Sequence, residues 1–107
     1  MSDDMLRQYT EYVEEHLEDP YLTNADIAHQ IGTSERTLYR IVQERLGVSP
    51  NGYLRERRLE RADTLIQSGQ YRTVKEVALR VGFMKVSYFS DKYRESRGVR
   101  PADLLRS

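Results

Sequence analysis

The chain has 107 residues, 32% of them charged, with no cysteine and a formal net charge of zero. That length suits one domain, or two very small ones sharing a connecting helix, and the missing thiols exclude disulfides, thiolate metal sites and cysteine nucleophiles. The neutral total hides a polarity: residues 1–32 carry eight acids against the single base Arg7, whereas residues 33–107 carry nine acids and sixteen bases, thirteen of them Arg.

No apolar run approaches the 18 or so residues of a membrane span, and the mean hydropathy is −0.74. The start, Met1-Ser2-Asp3-Asp4, is acidic with no apolar core behind it, so no signal peptide is expected and the predicted location is cytoplasmic. From Asp3 to Asp19, Met5, Leu6, Tyr9, Tyr12, Val13, His16 and Leu17 follow helical spacing, while Glu11, Glu14, Glu15 and Glu18 make the other face acidic. Asp19-Pro20 stops this helix. Its acidic face is a poor nucleic-acid surface, so it packs behind the next two helices or meets a partner protein.

Thr23 and Asp26 mark the start of a short helix, with Leu22 positioned to staple onto Ile27, and Ile31-Gly32 ends it. Thr33 or Ser34 caps the next helix, whose inward side is Leu38, Ile41, Val42 and Leu46. Arg36, Thr37, Tyr39 and Arg40 lie toward the other side, with Gln43 a turn further on. A short helix, a tight turn at Gly and a helix displaying Arg, Thr, Tyr and Arg form a helix-turn-helix pattern.

Ser49 caps and Pro50 opens a helix of about 18 residues that runs to Gly69. Its apolar arc is Leu54, Leu59, Ala62, Leu65 and Ile66. Arg55 and Arg58 fall within that arc and are expected to pack their stems and pair with carboxylates. Arg57 and Arg61 lie away from it, open to phosphate or to solvent. Thr73 and Glu76 form a capping box for another short helix, and Gly82-Phe83 makes a second tight turn. The helix after that turn, about Val86 to Arg97, is expected to bury Phe89, Tyr93 and Tyr88. Lys85, Val86, Ser87, Ser90 and Asp91 face outward, with Lys92 and Arg94 placed for phosphate or solvent. Pro101 to Leu105 allows a last short helix covering the core with Leu104 and Leu105.

The two flanks of the long helix repeat each other. Ile27, Ala28, Ile31 and Gly32 return as Val77, Ala78, Val81 and Gly82 at an offset of 50; Leu38, Val42, Gly47, Val48 and Pro50 return as Phe89, Tyr93, Gly98, Val99 and Pro101 at 51. The expected architecture is therefore all-α: about seven helices, with a first helix-turn-helix subdomain over 1–48, a linker helix over 49–69 and a second subdomain over 70–107.

With IAHQIGTSERTLYRIVQERLGVSP, RLERADTLI and VKEVALRVGFMKVSYFSDKYRESRGVRP, essentially the whole chain resembles the DNA-binding domain of the AraC/XylS family of bacterial transcription regulators. The resemblance implies two helix-turn-helix units whose second helices, about 34–46 and 86–97, enter successive major-groove segments on one face of double-stranded DNA. It implies base reading by Arg36, Tyr39 and Arg40 in the first unit and by Val86, Ser87, Ser90 and Asp91 in the second. Ser34, Thr37, Gln43, Arg57, Arg61, Lys85, Lys92 and Arg94 are placed for phosphate contacts. Lys85 departs from the Ser or Asp usual at its position. Details such as Thr37-Leu38-Tyr39-Arg40 resemble the output domains of hybrid two-component sensors. In that setting the isolated domain is expected to be a monomer, and dimerisation belongs to an upstream domain. The family also implies a contact with RNA polymerase, at no identified surface.

An enzyme is not expected. There is no Gly-rich phosphate loop, no His/carboxylate metal spacing and, with His16 and His29 as the only histidines, no Ser/His/Asp set; no cofactor, metal or membrane partner is implied by the residues. The competing reading is a helical protein-interaction module that uses the acidic first helix.

Overall fold

A computed structural model describes residues 2–105 and shows seven helices and no strand among them. They are α1 (Ser2–Glu15), α2 (Asn24–Ile31), α3 (Glu35–Leu46), α4 (Pro50–Ser68), α5 (Val74–Arg80), α6 (Val86–Arg97) and α7 (Pro101–Leu105). None is long and apolar enough to cross a membrane. The chain divides into two compact units. One takes the residues through Leu17 and Tyr21–Arg57; the other takes Glu18–Pro20 and the residues from Arg58 onward. The continuous helix α4 thus gives its first turns to one unit and the remainder to the other.

Local signals set the helix ends. Thr23 accepts from the Asp26 backbone N–H at 3.0 Å while the Asp26 carboxylate accepts from the Thr23 N–H, a closed capping box at the start of α2. Thr73 and Glu76 repeat this at α5. Gly32 ends α2 in the left-handed region, at φ 78°, which lets Thr33 N–H reach back to the Ala28 carbonyl at 2.9 Å. A residue with a Cβ would be strained there.

In the first unit, Tyr9, Val13, Leu17, Ile27, Ala28, Leu38, Val42 and Leu54 form the core, and Leu6, Tyr12, Leu22, Ile31 and Tyr53 pack against it. The Tyr9 hydroxyl donates to the Pro50 carbonyl at 3.3 Å. In the second, Leu59, Ala62, Val77, Ala78, Val81, Phe83, Phe89 and Tyr93 form the core, flanked by Leu65, Ile66, Tyr71, Val74, Val86, Val99 and Leu105. Here Asp63 accepts hydrogen bonds from the Tyr93 hydroxyl at 2.6 Å and from Arg97 Nε and Nη2 at 3.1 and 2.7 Å. Burial, reinforced by that bond to Asp63, holds the Tyr93 phenol well above its ordinary range.

Four expectations are corrected. The first helix stops at Glu15 rather than Asp19, and residues 16–18 form a turn in which His16 stacks on Tyr12 at 4.0 Å. Leu46 is exposed because the last turn of α3 runs past the core: Arg45, in line with Leu38 and Ile41, is exposed there too. Leu104 is likewise exposed, leaving Leu105 to cover the core. Tyr88 is 44% exposed instead of buried. It sits one residue, about 100°, from Phe89, which with Tyr93 already fills the inner face of α6.

Candidate nucleic-acid interface

In each unit the second helix of the pair has a buried face and an open one. Ser34 caps α3, its hydroxyl accepting from Thr37 N–H at 3.1 Å and donating to the Thr37 hydroxyl at 3.0 Å. Leu38, Ile41 and Val42 anchor the inner face. The i, i+3, i+4, i+7 set Arg36, Tyr39, Arg40 and Gln43 then forms one exposed stripe, with Ser34 exposed beside it and Thr37 half-buried. Tyr39 is 53% exposed, a large apolar ring held in solvent. Arg36 has no ion partner among the described residues. Among the described residues the ion partner of Arg40 is Glu44, at 3.8 Å and largely in solvent, an interaction that a stronger anion displaces at little cost.

The matching stripe on α6 is Ser87, Ser90, Asp91 and Arg94; Ser87, Asp91 and Arg94 are exposed and Ser90 is half-buried. These four line an open cleft of about 330 Å³ with Arg100, Pro101 and Ala102. Asp91 has no cationic partner among the described residues. Lys85 is exposed at the N-cap of α6 and makes no side-chain cap bond. Lys92 lies 3.5 Å from Glu95 and 5.6 Å from the centre of the Tyr88 ring. Val86, expected to face outward, is half-buried and packs on the second core. Arg100 was not among the expected site residues.

The arginines of α4 divide differently from the expectation. Arg57 is gripped by Glu14 of α1, with Nε donating at 3.1 Å and Nη2 forming a second, close contact. Its guanidinium faces Glu14, with 29% of the side chain left in solvent. Arg61 lies 3.9 Å from Glu18 and keeps a third of its side chain in solvent. Arg58 is buried, donates to the Asp19 carbonyl at 2.7 Å and lies 6.0 Å from the centre of the Phe83 ring, the structural role expected of it. Burial lowers its guanidinium pKa, and the neighbouring Asp19 carboxylate offsets only part of that. Arg55 is half-buried, and no carboxylate pairs with it among the described residues. On α1, Asp3 engages Arg45 as Glu14 engages Arg57, so part of its acidic face is spent on bases of its own unit.

The model of the helix-turn-helix domain family matches residues 27–107. Over 105 residues the chain is 34% identical to the probable thc operon regulatory protein of Rhodococcus erythropolis; the match covers 96% of this chain and 31% of that protein. The chain thus spans about a third of the length of that relative. Among solved structures, it superposes with a TM-score of 0.88 and 31% identity on an AraC-type transcriptional regulator from Chromobacterium violaceum, covering 98% of this chain and 92% of that one. It also matches the DNA-binding domain of AdpA, a global transcriptional factor solved with a target DNA, at a TM-score of 0.86 and 27% identity over 94% of this chain and 89% of that one. This is a transcription-regulator fold and not that of an enzyme. The chain belongs to the AraC/XylS family, as a DNA-binding domain of two helix-turn-helix subdomains joined by the long helix α4.

Proposed function

We propose that the chain binds double-stranded DNA sequence-specifically to regulate transcription, with α3 and α6 in successive major-groove segments and α3 supplying most of the discrimination. The observation that carries this reading is the α3 stripe of Arg36, Tyr39, Arg40 and Gln43, exposed on a helix whose opposite face is anchored by Leu38, Ile41 and Val42. An exposed guanidinium at Arg36 or Arg40 forks onto the O6 and N7 of guanine, worth about 1–3 kcal/mol of discrimination per contact. Tyr39 offers an apolar edge to a thymine methyl. On α6, Asp91 is repelled by phosphate and favoured only opposite a cytosine amino group, so this unit contributes mainly backbone grip through Ser87, Lys85, Lys92 and Arg94. Ser34, Thr37, Gln43 and Arg61 add contacts of the same positioning kind. The isolated chain acts as a monomer, and contact with RNA polymerase belongs to the same reading.

The test is selection of bound duplexes from a random pool, then titration of Arg36→Ala, Arg40→Ala and Asp91→Ala against the selected and an unrelated duplex. Both Arg variants are expected to lose discrimination. A larger loss from Asp91→Ala would overturn the assignment of specificity to α3. Binding that barely responds to salt would instead favour a protein partner, since phosphate neutralisation makes log K fall steeply with log salt.

A further inference from the structure

The internal repeat aligns the caps of the two units as well as their cores. At the offset of 51, Ser34 of the first unit corresponds to Lys85 of the second, and Ser49 corresponds to Arg100. Both serines are working caps: Ser34 accepts from Thr37 N–H at 3.1 Å, and Ser49 accepts from Gly52 N–H at 3.1 Å. Both replacements are cations that cannot accept a hydrogen bond. Lys85 keeps the extended backbone of a cap, at φ −108° and ψ 116°, yet makes no side-chain cap bond. Arg100 is exposed beside the α6 stripe, in the cleft with Ser87, Ser90, Asp91 and Arg94, and has no ion partner among the described residues. Two helix starts therefore forgo a favourable cap, and at both a positive charge stands in the open near the outward face of α6.

We propose that Lys85 and Arg100 form, with Arg94, a sequence-independent clamp on the DNA phosphates bordering the groove that α6 occupies. The proposal rests on the DNA-binding reading above and assigns the α6 unit its main role. Arg94 and Arg100 line one cleft, and Lys85 stands at the first turn of the same helix. Cations so placed grip phosphates on the rim with Ser87, while Ser90 and Asp91 face the groove between them. Asp91 then lies among cations, which offsets its repulsion from the backbone. The two substituted caps trade helix stability for phosphate grip, so affinity and stability should move in opposite directions when the serines are put back.

The experiment compares wild type with K85S, R100S and the double variant, using a duplex selected from a random pool and an unrelated duplex of the same length. Each phosphate contact adds about 0.9 to the slope of log K against log salt. Each single variant should lower the slope by about that much, so that raising salt from 50 to 200 mM weakens it about 3.5-fold less than wild type. The loss at low salt should be equal on the two duplexes, leaving their affinity ratio unchanged. K85S should also raise the thermal midpoint by about 2–4 °C, because serine can again cap α6. Unchanged slopes in K85S and R100S, with wild type still binding steeply, would overturn the clamp and leave the DNA reading standing. A changed affinity ratio would overturn it too, by making these residues base readers. Failure of wild type to bind either duplex would instead remove the reading on which the clamp rests.

Discussion

Removing the Asp63 carboxylate should unravel the second unit out of proportion to its modest burial. Asp63 on α4 accepts the Tyr93 hydroxyl at 2.6 Å and two nitrogens of Arg97 at 3.1 and 2.7 Å, and so ties α6 to α4 across thirty-odd residues of chain. Asp63→Ala leaves the hydroxyl of Tyr93, a residue only 2% exposed, without this acceptor. An orphaned buried donor costs about 1–3 kcal/mol. The Arg97 contact adds less, since its side chain is 20% exposed against 29% for Asp63 and can turn to water. Together these give about 2–3 kcal/mol, or a fall of about 8–20 °C in the thermal midpoint for a domain of this size. Circular dichroism melts and urea titrations of Asp63→Ala, Tyr93→Phe and the double variant measure it. The pair should couple by about 1 kcal/mol, with the double variant milder than the sum of the singles. A cost under about 0.5 kcal/mol for Asp63→Ala, typical of a plain surface substitution, would refute the reasoning.

Arg57→Ala should leave the salt slope of DNA binding at the wild-type value, since Glu14 holds that guanidinium; it should lower stability by about 1 kcal/mol at most for a pair this exposed. A shallower slope would return Arg57 to the phosphate contacts. Stability should fall at high pH, because burial raises the phenols of Tyr9 and Tyr93 above their ordinary range. Both are neutral in folded and unfolded chains below about pH 10. Above it the unfolded chain loses protons that the folded chain keeps, at about 1.4 kcal/mol per pH unit for each tyrosine. Urea titrations at pH 8 and pH 11 that coincide would contradict this. Gly47→Ala should cost about 1–2 kcal/mol in the same assay: its φ is 74° and an added Cβ meets nothing within 4 Å, so left-handed backbone strain is the whole penalty. Gly47→Asn should cost less, and equal losses for the two would point to a steric cause instead.

The helices were legible because their signals are local. Capping boxes at Thr23/Asp26 and Thr73/Glu76, stops at Gly32 and Gly47, and apolar residues three and four apart all lie within one or two turns of the chain. The errors occur where periodicity alone is indifferent. Leu46 and Leu104 stand at helix ends, where the reach of the core, and not periodicity, decides exposure. The outward position of Tyr88 is contained in the repeat. At the offset of 51 it corresponds to Thr37, a residue already assigned to the outer side of its helix. An aromatic residue next to two buried aromatics invites burial, but α6 has one inner face and Phe89 and Tyr93 occupy it.

The candidate site divides in the same way. The stripes Arg36, Tyr39, Arg40, Gln43 and Ser87, Ser90, Asp91, Arg94 can be derived from helical spacing once the inner residues are known, and all but the half-buried Ser90 are exposed. The fate of the α4 arginines was not. Arg57 meets Glu14 and Arg58 meets the Asp19 carbonyl across 43 and 39 residues, and no local pattern says which carboxylate or carbonyl a long side chain will reach. The sequence did contain one long-range relation, the duplication, and it informs most where the copies differ. Corresponding inner positions stay apolar or aromatic: Leu38 matches Phe89 and Val42 matches Tyr93, whose hydroxyl is satisfied by Asp63. Outer and cap positions carry no such constraint, and there serine in the first unit stands opposite lysine or arginine in the second, and Arg40 opposite Asp91. The change of charge on the open face means that the two units share a scaffold and divide the work of contact, one built around guanidinium forks and the other around peripheral charge.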